Sequence, residues 1–106
     1  MIMLVEFSIA PLGKGESVGE YVARCLEIVK GSGLPFKLNP MGTVIEGEYD
    51  EVMSVIRSCH MSVTSDCARV ITTIKIDDRM GRSGTIESKV RSVEHRLSQG
   101  IKKDGV

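Results

Sequence analysis

The sequence predicts an α+β domain built on a four-stranded antiparallel sheet, and three observations carry that expectation. Residues 2–10 and 67–77 are rich in β-branched side chains in strand-like alternation. Two segments between them, from about Ser17 to Val29 and from about Asp50 to Met61, repeat apolar residues every three to four positions, the helical period. Between those helices a Pro40-Met41-Gly42 turn joins two short strand-like stretches.

Taken in order, the first strand places Met3, Val5, Phe7 and Ile9 on one face and Leu4, Glu6, Ser8 and Ala10 on the other. Pro11, Gly13 and Gly15 break it. Ser17, with Glu20 three residues on, has capping-box spacing for the first helix. Its stripe is Val18, Tyr21, Val22, Cys25, Ile28 and Val29, and Gly31 and Gly33 stop it. Residues 36–39 and 43–48 read as a hairpin. Asp50 is the expected N-cap of the second helix, with Val52, Val55, Ile56 and Cys59 on its buried side. Residues 67–77 form the last strand. A third helix is expected over residues 85–97 with Ile86, Val90, Val93 and Leu97 on one stripe, a stop at Gly100, and a frayed tail over residues 102–106. The order βαββαβ plus a C-terminal helix is the ferredoxin-like, split βαβ arrangement.

Two helices then cover one sheet face and leave the other open, except where the third helix reaches it. If Val5, Phe7, Phe36, Leu38, Val44, Val70 and Ile74 face the helices, the open face carries Glu6, Ser8, Lys37, Asn39, Thr43, Ile45, Arg69, Ile71, Thr73 and Lys75. A face of this mixed polarity suits a ligand or a second subunit.

The length of 106 residues fits one domain, able to bury roughly two-thirds of its unfolded surface without disulfide or metal. Lys plus Arg number 14 and Asp plus Glu number 14, so no net field draws the chain onto nucleic acid or anionic lipid. Aromatic residues are 4%, too few for a base-stacking platform. No signal-peptide pattern and no apolar run long enough to span a membrane is present, and the three cysteines lack CxxC spacing. Reduced thiols and a cytoplasmic location are the expectation, with no cofactor.

The candidate chemistry is sparse. The segment Pro11-Leu12-Gly13-Lys14-Gly15-Glu16-Ser17 has phosphate-loop flavour without a phosphate-loop motif, and reads as a connection with a helix cap. Cys25 and Cys59 fall on core stripes. Cys67 is expected to be partly exposed at a strand start. His60 and His95 are expected to be exposed, and neither completes a Cys/His/Asp set or a metal-ligand spacing. Glu46, Glu48 and Asp50 suit a solvated turn with a cap; alternatively Glu46 faces a ligand. Asp77, Asp78 and Arg79 suit local charge pairing. The informative set is Ser8, Asn39 and Thr43 with a carboxylate from Glu6 or Glu46. It offers hydroxyls, an amide and an acid but no nucleophile–base pair, so it can orient a heteroaromatic amine or form an inter-subunit network. Strict alternation puts Glu46 on the side of Val44, so it joins the set only through a bulge or an edge position.

In VEFSIAPLGKGESVGEYV, LNPMGTVIEGEYDEV and RVITTIKIDDR, taken in this order and spacing, the chain resembles the thiamine-binding protein family, small ferredoxin-like proteins related to the YkoF type. The resemblance spans nearly the whole chain. It implies binding of thiamine or its hydroxymethylpyrimidine half without catalysis, in vitamin handling, storage or sensing. It also implies dimers that associate further into tetramers, and a pocket near strand and interface surfaces. The matching positions are Ser8 in FSIAP, Asn39 in LNPMG, and Thr43 and Glu46 in GTVIEG. A carboxylate such as Glu46 or Glu6 could accept from the aminopyrimidine amine, and the scarcity of aromatics favours the pyrimidine half over the thiazolium. Two rival readings are a regulatory or scaffolding oligomer whose sheet face binds only itself, and a small enzyme with a site shared between subunits.

Overall fold

The computed structural model describes residues 2–15, 18–81 and 86–103, with side chains through residue 99. Seven elements follow in order: β1 (Met3–Leu12), α1 (Gly19–Ser32), β2 (Phe36–Asn39), β3 (Gly42–Gly47), α2 (Tyr49–Thr64), β4 (Arg69–Asp77) and α3 (Ile86–Lys103). The strands form one antiparallel sheet in the order β2-β3-β1-β4. This is the βαββαβ order read from the sequence, with the additional C-terminal helix.

The core lies between one sheet face and the helices α1 and α2. Met3, Val5, Phe7 and Ile45 supply the sheet side; Cys25 and Val29 come from α1, and Val52, Ile56, Cys59 and Val63 from α2. Truncating a fully buried aliphatic such as Ile56 to Ala would cost about 2–5 kcal/mol. Gly47 faces this core, where an added Cβ would stand 3.1 Å from Val52 Cγ2 and 3.3 Å from Leu34 Cδ1. A glycine here lets α2 approach the sheet.

Several boundaries depart from the sequence reading. Ser17 lies outside the described residues, and Val18 occupies the N-cap of α1 without a side-chain cap. The helix passes through Gly31 and stops at Gly33, whose φ of 76° places it in the left-handed conformation that glycine accepts most readily. Asp50 is in the first turn of α2, where its charge suits the helix dipole; the N-cap is Glu48. β1 runs on through Pro11 to Leu12, past its last pair with β3, so a missing N–H at Pro11 breaks no β1–β3 bond. α3 continues through Gly100 to Lys103, since a glycine costs a helix about 1 kcal/mol without ending it. Residues 104–106 of the expected tail lie outside the described residues.

The register corrects the facing of β3. Val5 pairs with Ile45 and Phe7 with Thr43, so Thr43 and Ile45 lie on the helix side. Val44, paired with Glu6, and Glu46, paired with Leu4, lie on the open side. Val44 and Ile45 are both apolar, and a one-residue change of alternation exchanges the faces. Ile45 takes the core position because it meets Val5, and it is fully buried. Glu46 therefore reaches the open face, where Glu6 also lies, with no bulge.

Against part of that open face stands α3. Lys89 pairs with Asp77 at the end of β4, so Asp77 is bound to the third helix rather than to Arg79 as its neighbourhood suggested. Ile86 and Val90 wall a groove that Leu4 and Val44 also line, and Leu4 is buried. The remainder of the α3 stripe, Val93 and Leu97, is exposed, as are Ile71, Ile74 and Ile76 on edge strand β4.

Candidate functional site

The site follows from a mismatch of strand lengths. β1 has ten residues and β3 six, and their last pair is Phe7 with Thr43. Beyond Phe7, β1 continues beside β4 alone, and its other edge has no strand neighbour. A notch opens there, floored by β1, walled by the tip of the β2–β3 hairpin and roofed by the first turns of α1. It holds a cavity of about 140 Å³ lined by Phe7, Ser8 and Ile9 of β1, Tyr21, Val22 and Cys25 of α1, and residues 38–43 of the hairpin.

Three of the five expected site residues, Ser8, Asn39 and Thr43, line this one cavity. They are half-buried. Glu6 and Glu46 do not line it. Glu6 lines the groove under α3 together with Asn39, Lys37 and Lys75. Its Cγ lies 3.2 Å from where a Cβ on Gly42 would stand, so it passes close to the hairpin tip. Glu46 is half-buried opposite Leu4, and its backbone N–H donates to the Pro35 carbonyl at 3.0 Å. Asn39 is the residue common to cavity and groove.

The roof holds residues that the sequence placed on the core stripe. Tyr21 is fixed from behind, with the Arg24 guanidinium over its ring at 5.2 Å from the centroid. A side-chain hydrogen bond with Cys67 raises its phenol above the ordinary value, and partial burial adds to this. Arg24 is itself anchored: it reaches Asp66 Oδ2 at 2.8 Å, donates to the Ser62 carbonyl at 3.1 Å, and lies 3.4 Å from Glu20 Oε1. The hydrogen bond and charge of Arg24 hold the Asp66 carboxyl below its ordinary value. The i, i+3 and i+4 spacing of Tyr21, Arg24 and Cys25 was the available signal for this wall.

Two further expectations are corrected. Cys67 is buried: it precedes β4, and its N–H donates to the Val63 carbonyl at 3.1 Å, continuing the last turn of α2 inward. His60 is half-buried, with Nδ1 2.6 Å from Thr72 Oγ1, which ties α2 to the edge strand; His95 is exposed, as expected. Among the described residues no three His, Cys, Asp or Glu side chains gather as a metal site, and no helix is long and apolar enough to cross a membrane.

Fold and cavity define a ferredoxin-like α+β protein with a small pocket of mixed polarity set into the edge of its sheet. The chain belongs to the thiamine-binding protein family, whose model, described as "Thiamine-binding protein", matches residues 5–94. It is 41% identical over 91 residues to the UPF0045 protein MJ1052 of Methanocaldococcus jannaschii, covering 86% of this chain and 91% of the relative. It is 43% identical over 98 residues to the UPF0045 protein MT1949 of Mycobacterium tuberculosis, covering 92% and 96%. The crystal structure of the M. jannaschii protein superposes with a TM-score of 0.83 at 40% identity, over 88% of this chain and 96% of that one. A candidate thiamine biosynthesis/salvage protein of Thermotoga maritima shares the fold, with a TM-score of 0.78 at 24% identity over 88% and 99% of the two chains.

Proposed function

We propose that this protein binds the hydroxymethylpyrimidine half of thiamine, free or as part of the vitamin, in the notch at the end of the β2–β3 hairpin, and does not transform it. The observation that carries the reading is the convergence of Ser8, Asn39 and Thr43 on one cavity in a member of the thiamine-binding family. An aminopyrimidine offers an amine donor and ring-nitrogen acceptors around a flat apolar ring. Two hydroxyls and an amide supply the matching polar groups, and Phe7, Tyr21 and Leu38 supply apolar surface. The unpaired edge of β1 adds backbone donors and acceptors beside the ring.

Size favours the single ring. A cavity of about 140 Å³ is well below the roughly 300 Å³ at which pockets for drug-sized ligands begin. The pyrimidine fits inside it, and the thiazolium of whole thiamine extends toward solvent. Glu46 does not line the cavity and stands outside the contact set, and Glu46→Ala leaves the affinity within about twofold.

Binding without turnover is supported by the lining, which among the described residues carries no histidine, carboxylate or lysine to act as acid or base. Its nucleophilic side chains, Ser8, Thr43, Tyr21 and Cys25, have no such base beside them among the described lining residues. A role in vitamin handling, storage or sensing suits a protein of this kind.

Self-association accompanies binding in this reading. β4 is an unpaired edge with exposed Ile71, Ile74 and Ile76, and α3 exposes Val90, Val93 and Leu97. Strand edges and apolar helix faces of this kind are covered in stable proteins, and a dimer of dimers covers both. The rival scaffold reading shares these surfaces but assigns no ligand to the notch.

An NMR titration of amide signals with hydroxymethylpyrimidine separates the two. Shifts confined to residues 7–9, 21–25 and 38–43 support the reading. No shift there, with the protein folded and oligomeric, favours the scaffold.

A further inference from the structure

Cys25 and Cys59 meet across the α1–α2 contact. Cys59 Sγ lies 3.5 Å from the Cys25 carbonyl oxygen, and Cys25 Sγ lies 3.9 Å from the Cys59 carbonyl oxygen. This reciprocity sets the two residues at one level of the helix crossing, each thiol donating to the other residue's carbonyl. Both are reduced and buried. They differ in one respect: Cys25 also lines the notch cavity, whereas Cys59 is sealed from solvent.

We propose that Cys25 and Cys59 form a reversible disulfide that fastens α1 to α2 behind the cavity, made by exchange with a low-molecular-weight disulfide entering through the notch. The exchange needs the cavity only as an entrance, whatever ligand the cavity takes.

The steps balance. The Cys25 thiolate attacks one sulfur of the small disulfide, forming a mixed disulfide and releasing one thiolate, which takes up the Cys25 proton. Cys59 then loses its proton and attacks the Cys25 sulfur. The Cys25–Cys59 bond forms, and the second small thiolate leaves with that proton. Two protein thiols are oxidised and one small disulfide is reduced to two thiols.

The order of attack has a physical cause. Contact with Cys59 holds the Cys25 thiol below its ordinary value, against the effect of burial. The same contact, with burial, pushes the Cys59 thiol upward. Cys25 is also the thiol a reagent can reach, because it lines the cavity and Cys59 does not. Cys67 is buried beside Tyr21 and takes no part in the reciprocal contact.

The test incubates the full chain, folded, with hydroxyethyl disulfide, then quenches with acid, denatures, counts thiols and maps peptides by mass. The expected result is a fall from three free thiols to one, an intact mass lower by two hydrogens, and a peptide joining Cys25 to Cys59. Dithiothreitol restores all thiols. In Cys59→Ser the reaction stops at a mixed disulfide on Cys25, and in Cys67→Ser the cross-link forms unchanged. Three thiols surviving, an adduct on Cys67 alone, or a cross-link that includes Cys67 would overturn the proposal. The wild-type map decides it even if a serine variant fails to fold.

Discussion

Thr43 is the cross-strand partner of Phe7, and this pair is the last that joins β3 to β1. Phe7 is buried in the core, while Thr43 is half-buried and faces the cavity just beyond. The pair marks where packed interior gives way to the notch, so Thr43 can be altered with little harm to the core.

Thr43→Val keeps the shape and removes the hydroxyl. If that hydroxyl bonds the pyrimidine, its loss costs about 1–1.5 kcal/mol, or roughly a tenfold weaker affinity. Titration calorimetry of the variant checks the affinity, and an unchanged melting temperature shows the fold is intact. Equal affinity in wild type and variant would remove Thr43 from the site.

Gly47 is where the core side of β3 meets α2. In Gly47→Ala the new methyl would stand 3.1 Å from Val52 Cγ2 and 3.3 Å from Leu34 Cδ1, both in or against the core. Overpacking of this kind costs about 1–3 kcal/mol, a fall of at least several degrees in melting temperature for a domain of this size. A thermal melt measures it directly. Gly42→Ala meets the Phe7 carbonyl oxygen at 3.1 Å, but at the rim, where the hairpin tip has more freedom to shift.

The Arg24–Asp66 pair, which anchors the back of the Tyr21 wall, gives a pH signature. Arg24 depresses the folded-state pKa of Asp66. A depressed carboxylate contributes stability that is fully present above its unfolded value, about 3.9, and is lost as pH falls through the lower folded value. Melting temperatures of wild type and Asp66→Asn should therefore differ at neutral pH and converge below about pH 4. Both groups are substantially exposed, so the gap is small and narrows with added salt. A gap that widens on acidification would contradict the assignment.

The element order was legible because each segment repeats its apolar residues at a single period. β3 was the exception: in GTVIEG both Val44 and Ile45 can serve as the core residue. The deciding clue was Gly47, which shares a face with Ile45 and Thr43 and leaves room for Val52. The cavity residues Ser8, Asn39 and Thr43 were legible as polar groups near strand ends. Their grouping on an open face was not correct, because Thr43 points to the helix side and the cavity lies at the edge of the sheet rather than on it. Tyr21 and Cys25 were hidden by their own spacing, which is also that of a core stripe. The burial of Cys67 was hidden because α2 runs three residues beyond the expected Met61 and turns the chain inward.

The most direct measurement is isothermal titration calorimetry of the protein with hydroxymethylpyrimidine and, separately, with thiamine. Pyrimidine binding in the notch predicts saturable heat with both, one ligand per chain, tighter than roughly 10 μM or about 7 kcal/mol, with affinities within about tenfold of each other because the pyrimidine carries the contacts. No heat with either ligand, in a folded sample, would contradict it.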